Sequence, residues 1–120
     1  MPKNLEQIRA AAALEPAKTL YRSAVNKLPA MILTNGLLAT AAFCEAEAGD
    51  GSRKDMRLAL DATAKHLAKR DLIAAKVEAT SGLIEDLSGR QSQELQRATT
   101  EALAFIGYLK RFAKKEEGES

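Results

Sequence analysis

The chain has 120 residues, a single domain's length and enough to bury a real core. Ala, Leu, Glu, Lys and Arg dominate while aromatic residues make up only 4%, which favours helix over sheet. The net charge of +2 does not by itself mark a nucleic-acid binder, so any basic surface must come from placement.

The predicted elements begin at Asn4, a helix cap with Gln7 three residues on in the capping-box position. Leu5, Ile8 and Ala12 recur at helical spacing, and Leu20, Ala24 and Val25 continue the stripe beyond Pro16. The expectation is one bent helical unit reaching about Asn26. From Leu28 to Cys44 the chain carries no charge. Thr34, Asn35 and Thr40 make this run too polar for a bilayer span, and it is short of the roughly 20 apolar residues required. It therefore reads as a central helix, Leu28 to about Ala46–Ala48, buried on nearly all sides, with Pro29 in its first turn. Gly36 in mid-helix implies another backbone passing close by.

Gly49-Asp50-Gly51 is a break, after which Ser52 caps a helix to about Lys69, with Asp55 at the box position and Met56, Leu60, Ala64 and Leu67 on its apolar stripe. Residues 71–80 are helix-compatible, Ser81-Gly82 interrupts, and Leu83, Ile84 and Leu87 form a short helix ended by Ser88-Gly89. A last helix runs from about Gln91 to Lys114, with Leu95, Thr99, Ala102, Leu103, Ile106 and Leu109 inward and Ala98, Phe105 and Phe112 widening the stripe. The expected architecture is an all-α bundle of about five or six helices over residues 1–114, with residues 115–120 a charged tail.

No catalytic constellation stands out. His66 is the only histidine and reads as a partly exposed helix residue, since a metal site needs several converging ligands. Cys44, the only cysteine, reads as a small core residue. Glu45, Glu47 and Asp50 read as solvated helix ends, and no phosphate-cradling glycine loop occurs. No metal, cofactor or membrane partner is expected. A lone cysteine and the lack of a basic-then-apolar leader point to a reduced, cytoplasmic protein.

Three basic sets carry the remaining signal. Lys18, Arg22 and Lys27 lie along the first unit. Arg53, Arg57, Lys65 and Lys69 share one face of the third helix, beside Lys54 and Arg70. Arg97, Tyr108, Arg111 and Lys115 share the polar side of the last helix, flanked by Lys110 and Lys114. Two readings stay open at this point. One is a solvated face whose last-turn cations complement the helix dipole. The other is a phosphate-binding surface on which Tyr108 stacks a base.

Two blocks of residues lead further. Lys27-Leu28-Pro29, Ile32, Asn35-Gly36-Leu37 and Ala42-Phe43 form the first. Thr100-Glu101-Ala102-Leu103 followed by Tyr108-Leu109-Lys110-Arg111-Phe112-Ala113 form the second. In order, spacing and total length the pair resembles the small helical subunit of the type III-B CRISPR RNA-guided effector, the Cmr complex. Many members have Trp where this chain has Tyr108, and residues 49–89 match only as further helices. The resemblance implies a non-enzymatic protein whose copies stack head to tail in the minor filament. It implies basic surfaces on the groove that holds guide RNA and target RNA, with cutting left to other subunits of the complex. Base pairing would then supply sequence recognition, and this subunit sequence-blind phosphate contacts. The alternative is a helical scaffold that self-associates through an apolar strip and binds no RNA.

Overall fold

The computed structural model describes residues 4–46 and 52–115. Among the described residues the regular structure is helical throughout: α1 (Leu5–Ala17), α2 (Arg22–Val25), α3 (Leu28–Asn35), α4 (Leu37–Ala46), α5 (Ser52–Lys69), α6 (Thr80–Ser88) and α7 (Ser92–Phe112). The all-α bundle is thus as expected, but both units read as continuous in its first half are divided. The glycine-rich break at 49–51 and the tail from 116 onward lie outside the described residues.

α1 starts on the expected capping box: Asn4 Oδ1 accepts from Gln7 N at 2.9 Å, and Gln7 Oε1 accepts from Asn4 N at 3.0 Å. It ends at Ala17, one residue past Pro16, instead of bending on to Asn26. Lys18, Thr19 and Leu20 close tight turns back to Glu15, Pro16 and Ala17, and Tyr21 is extended (φ −91°, ψ 137°). The extension has a tertiary cause. Lys114 N donates to Leu20 O (2.9 Å) and Arg22 N to Lys114 O (2.7 Å), an isolated parallel bridge that a continuous helix would forbid.

The charge-free run is two helices hinged at Gly36 (φ 93°, ψ 160°), a conformation essentially restricted to glycine. A Cβ built at Gly36 would meet nothing within 4 Å, so the glycine serves the dihedral and not a passing backbone. The carbonyl of Gly36 accepts from Thr40 N (3.1 Å) and Thr40 Oγ1 (2.9 Å), which satisfies groups the break would otherwise orphan. The run is not buried on all sides either. Leu28, Ile32, Leu37, Ala41 and Cys44 face the core, but Leu33 is 74% exposed and Phe43 42%, with Ala39 and Ala42 also outside. The most enclosed helix is α5, nine of whose eighteen residues are buried.

α5 ends in a Schellman-type turn: Leu72 N donates to Leu67 O, Asp71 N to Ala68 O, and Asp71 takes the left-handed position (φ 60°) usually given to glycine. The chain from 71 to 79 is consequently not helical. Nor does Ser81-Gly82 interrupt; it lies in the first turn of α6. What starts α6 is remote. Asp61 Oδ1, on α5, accepts from both Thr80 N (2.8 Å) and Thr80 Oγ1 (2.7 Å), capping the helix across the fold. Gly89 ends α6 as expected.

Ala98, Ala102, Phe105, Ile106 and Leu109 of α7 pack into the common core with Leu20, Leu28, Leu60, Leu67 and Leu83. Among them sits Glu101, only 6% exposed. Arg9 grips it with two nitrogens (Nε to Oε2 2.9 Å, Nη2 to Oε1 2.7 Å), and His66 Nε2 lies 2.7 Å from Oε2. His66 is therefore not a partly exposed helix residue: it is 3% exposed and stacked on Phe105, with ring centroids 4.4 Å apart. Burial pushes the imidazole pKa down against the pull of Glu101, so neutral His66 donates its Nε2–H. Burial alone would raise the Glu101 carboxyl; the bonds from Arg9 and His66 outweigh it and hold the group below its ordinary range. One carboxylate thereby ties α1, α5 and α7 together.

Candidate nucleic-acid interface

The basic residues acquire a shape from the bridge between the two ends of the fold. Lys110 and Arg111 lie in the last turn of α7, where carbonyls lack helical partners. Arg22 fills that need: its Nε donates to Lys110 O (3.1 Å), and its Nη2 to Arg111 O (3.0 Å) and Ala113 O (3.3 Å). Arg22 thus caps α7 with a positive charge at the negative end of the helix dipole, its Nε and Nη2 committed to backbone. The bridge places Lys114 beside Tyr21, its Nζ 4.4 Å from the ring centroid. Tyr21 N donates to Asp55 Oδ2 (2.9 Å) and Lys27 Nζ to Ser52 Oγ (3.0 Å), which joins α2 to the start of α5.

Two of the three sets seen in the sequence therefore meet. Arg22 from the first set holds the backbone of Lys110 and Arg111 at the end of α7, Lys114 just beyond it lies over Tyr21, and Lys27 reaches Ser52 at the start of α5, with exposed Lys115 following in the chain. Lys18 is exposed and paired with Glu15 at 2.7 Å, a contact of little energetic weight there. The third set is divided. Exposed Arg53 stands at the start of α5, beside the Tyr21 corner. Lys65 and Lys69 stand about 18–24 Å further along the helix at 1.5 Å per residue. These two line a groove of about 610 Å³ between α1 and α5 together with Glu15, Asp61 and Glu78, a surface of mixed sign. Arg57 is half-buried, and its Nε is enclosed without an acceptor.

Tyr108 is half-buried and leans on Phe112, ring centroids 6.1 Å apart, with the Arg111 guanidinium carbon 5.9 Å from its ring. The aromatic residue on the basic corner is Tyr21, 42% exposed, which sequence reasoning missed. Its position directly before Arg22 was the available signal. Lys54, also missed as a principal residue, lines a cleft of about 430 Å³ beside Tyr21.

Among the described residues no three His, Cys, Asp or Glu side chains converge as a metal site. His66 is committed to Glu101, and burial pushes the Cys44 thiol up to about 11, leaving it protonated at neutral pH. Among the described residues no helix is long and apolar enough to cross a membrane.

Neither the curated proteins nor the solved structures gave a match to the chain. A family model did: the one described as CRISPR-associated protein (Cas_Cmr5) matches residues 2–116, almost the whole length, and the chain accordingly belongs to that family, the small subunit of the type III-B Cmr complex.

Proposed function

We propose that this subunit of the Cmr complex contacts the guide and target RNA through the corner built by α2, the start of α5 and the end of α7. The observation that carries the reading is the convergence, through the Tyr21–Lys114 bridge, of cations nearly a hundred residues apart in sequence. Lysines and arginines on a rigid surface neutralise phosphates and release counterions, a contribution blind to sequence. Guide–target pairing then supplies specificity, and the protein supplies affinity and register. Arg22 acts indirectly, holding the α7 terminus on which Lys110 and Arg111 sit. In the assembly several copies act on one RNA, so weak contacts per copy add through high effective concentration.

Leu33 and Phe43, exposed on the α3–α4 pair, are the candidate contacts for the stacking part of the reading. The second copy or neighbouring subunit of the filament is the proposed cover. A cytoplasmic location, with Cys44 reduced, accompanies this reading.

The test is charge reversal at Lys27, Lys110, Arg111 and Lys114 to Glu, followed by reconstitution with the other Cmr subunits. Target capture should weaken by at least about tenfold at physiological salt, and its salt dependence should become shallower. Helicity should be unchanged, since these side chains are on the surface. Parental affinity in the reversed protein would leave only the scaffold role.

A further inference from the structure

We propose that Tyr21 is a stacking platform for an unpaired base of the bound RNA, and that the cleft beside it receives that base. The inference rests on the RNA-contact reading above and adds to it the state of the nucleotide recognised. Tyr21 is held on several sides by its backbone. Its N–H is bound by Asp55, its carbonyl accepts from Ala24 N (3.2 Å) and Val25 N (3.3 Å), and the bridge to Lys114 flanks it. The ring nevertheless stays 42% exposed. A rigidly placed, solvent-facing aromatic side chain loses little conformational freedom when something stacks on it.

The cleft beside the ring, about 430 Å³, is large enough for a nucleobase, and Ala24 and Leu58 give it an apolar wall. Cations stand at its margin: Lys54 lines it, Lys27 reaches Ser52 on its edge, and Lys114 lies over the ring. Asp55 also lines it. A carboxylate there repels a phosphate and accepts a hydrogen bond from a base N–H, so the base belongs in the cleft and the phosphate at its lysine rim. A duplex hides the faces of its bases in the stack, whereas a single strand offers them. The platform therefore favours single-stranded or unstacked nucleotides, while the surrounding lysines serve either form.

The experiment uses the full chain at low salt, where phosphate contacts are strongest, and fluorescence anisotropy with three probes. They are a short oligoadenylate, the same strand made abasic, and an RNA duplex of equal length. Tyr21→Leu keeps bulk without an aromatic face, and Tyr21→Phe keeps the face. Tyr21→Leu should weaken oligoadenylate binding about tenfold while changing the abasic strand and the duplex less than about twofold, and Tyr21→Phe should bind like the parent. Equal losses on the oligoadenylate and abasic strands, or no loss on either, would overturn the stacking role. If Lys110→Glu with Arg111→Glu weakens all three probes while Tyr21→Leu weakens none, the platform fails and the phosphate surface stands. If the parent chain binds none of the probes even at low salt, the platform falls, and the RNA-contact reading stands or falls on the reconstituted complex.

Discussion

The charge-free stretch from Leu28 to Cys44 and the charged helices α5 and α7 differ in the opposite sense from their compositions. The uncharged stretch exposes Leu33 and Phe43, whereas the charged pair encloses His66 and Glu101. Burial follows the number of elements that surround a helix. α5 packs against α1, α2, α4, α6 and α7, so that it is enclosed on several sides and tolerates polar groups inside only where partners meet them. The α3–α4 pair has fewer neighbours and leaves Leu33 and Phe43 exposed beside Thr34, Asn35 and Glu45. A lack of charge thus does not by itself place a segment in the core.

That comparison breaks most directly with two substitutions. Glu101→Ala leaves Arg9 and His66 without their shared acceptor and should cost about 3–5 kcal/mol in urea denaturation, the range for removing one member of a buried ionic group. Leu33→Lys, although it puts a charge into the uncharged run, should change the isolated chain by less than about 0.5 kcal/mol. The reverse ranking would mean that the uncharged run is the core after all.

The next effect concerns the hinge between α3 and α4. Gly36→Ala should cost about 1–3 kcal/mol although the new methyl has open space, because the penalty lies in the positive φ. Gly107→Ala, in the middle of α7 and also in open space, should stabilise by up to about 1 kcal/mol. Opposite signs in thermal or urea unfolding sharpen the contrast; a neutral Gly36→Ala would remove the hinge.

The smallest effect is a pH dependence confined to the buried side. His66 has its folded pKa below the ordinary value, so the unfolded chain takes up the proton first. The associated stability is complete above about pH 6.5 and is lost as pH falls through the folded value. Glu101 is also depressed; its share is complete above the ordinary carboxylate value and is lost as pH falls through its lower folded one. The two act in the same direction in successive windows. The melting temperature should decline from about pH 7 downward, and His66→Gln, which keeps an N–H for Glu101, should remove the upper part of the decline. An identical slope in parent and variant would show that His66 does not titrate there.

Much of the fold was legible because it is local. The Asn4–Gln7 capping box, Pro29 in the first turn of α3, the span of α5 and the stripe of α7 each depend on groups within about one turn of one another. The candidate interface was legible as residues and not as a surface: Lys27, Lys110 and Arg111 could be named, but nothing in their spacing joins α2 to the end of α7. Tyr21 was passed over because its exposure depends on the extended backbone forced by Lys114.

The sequence by itself determined the helical class, most helix boundaries and the family, since periodicity, caps and the two residue blocks are properties of neighbours along the chain. Only the tertiary structure decided that α1 stops at Ala17, that Asp61 starts α6, that Glu101 is buried between Arg9 and His66, and that two basic sets form one corner. Each of these is a contact between residues from 19 to 93 positions apart. The free energy of a polar or charged group depends on whether such a partner is in place, and no local pattern records it.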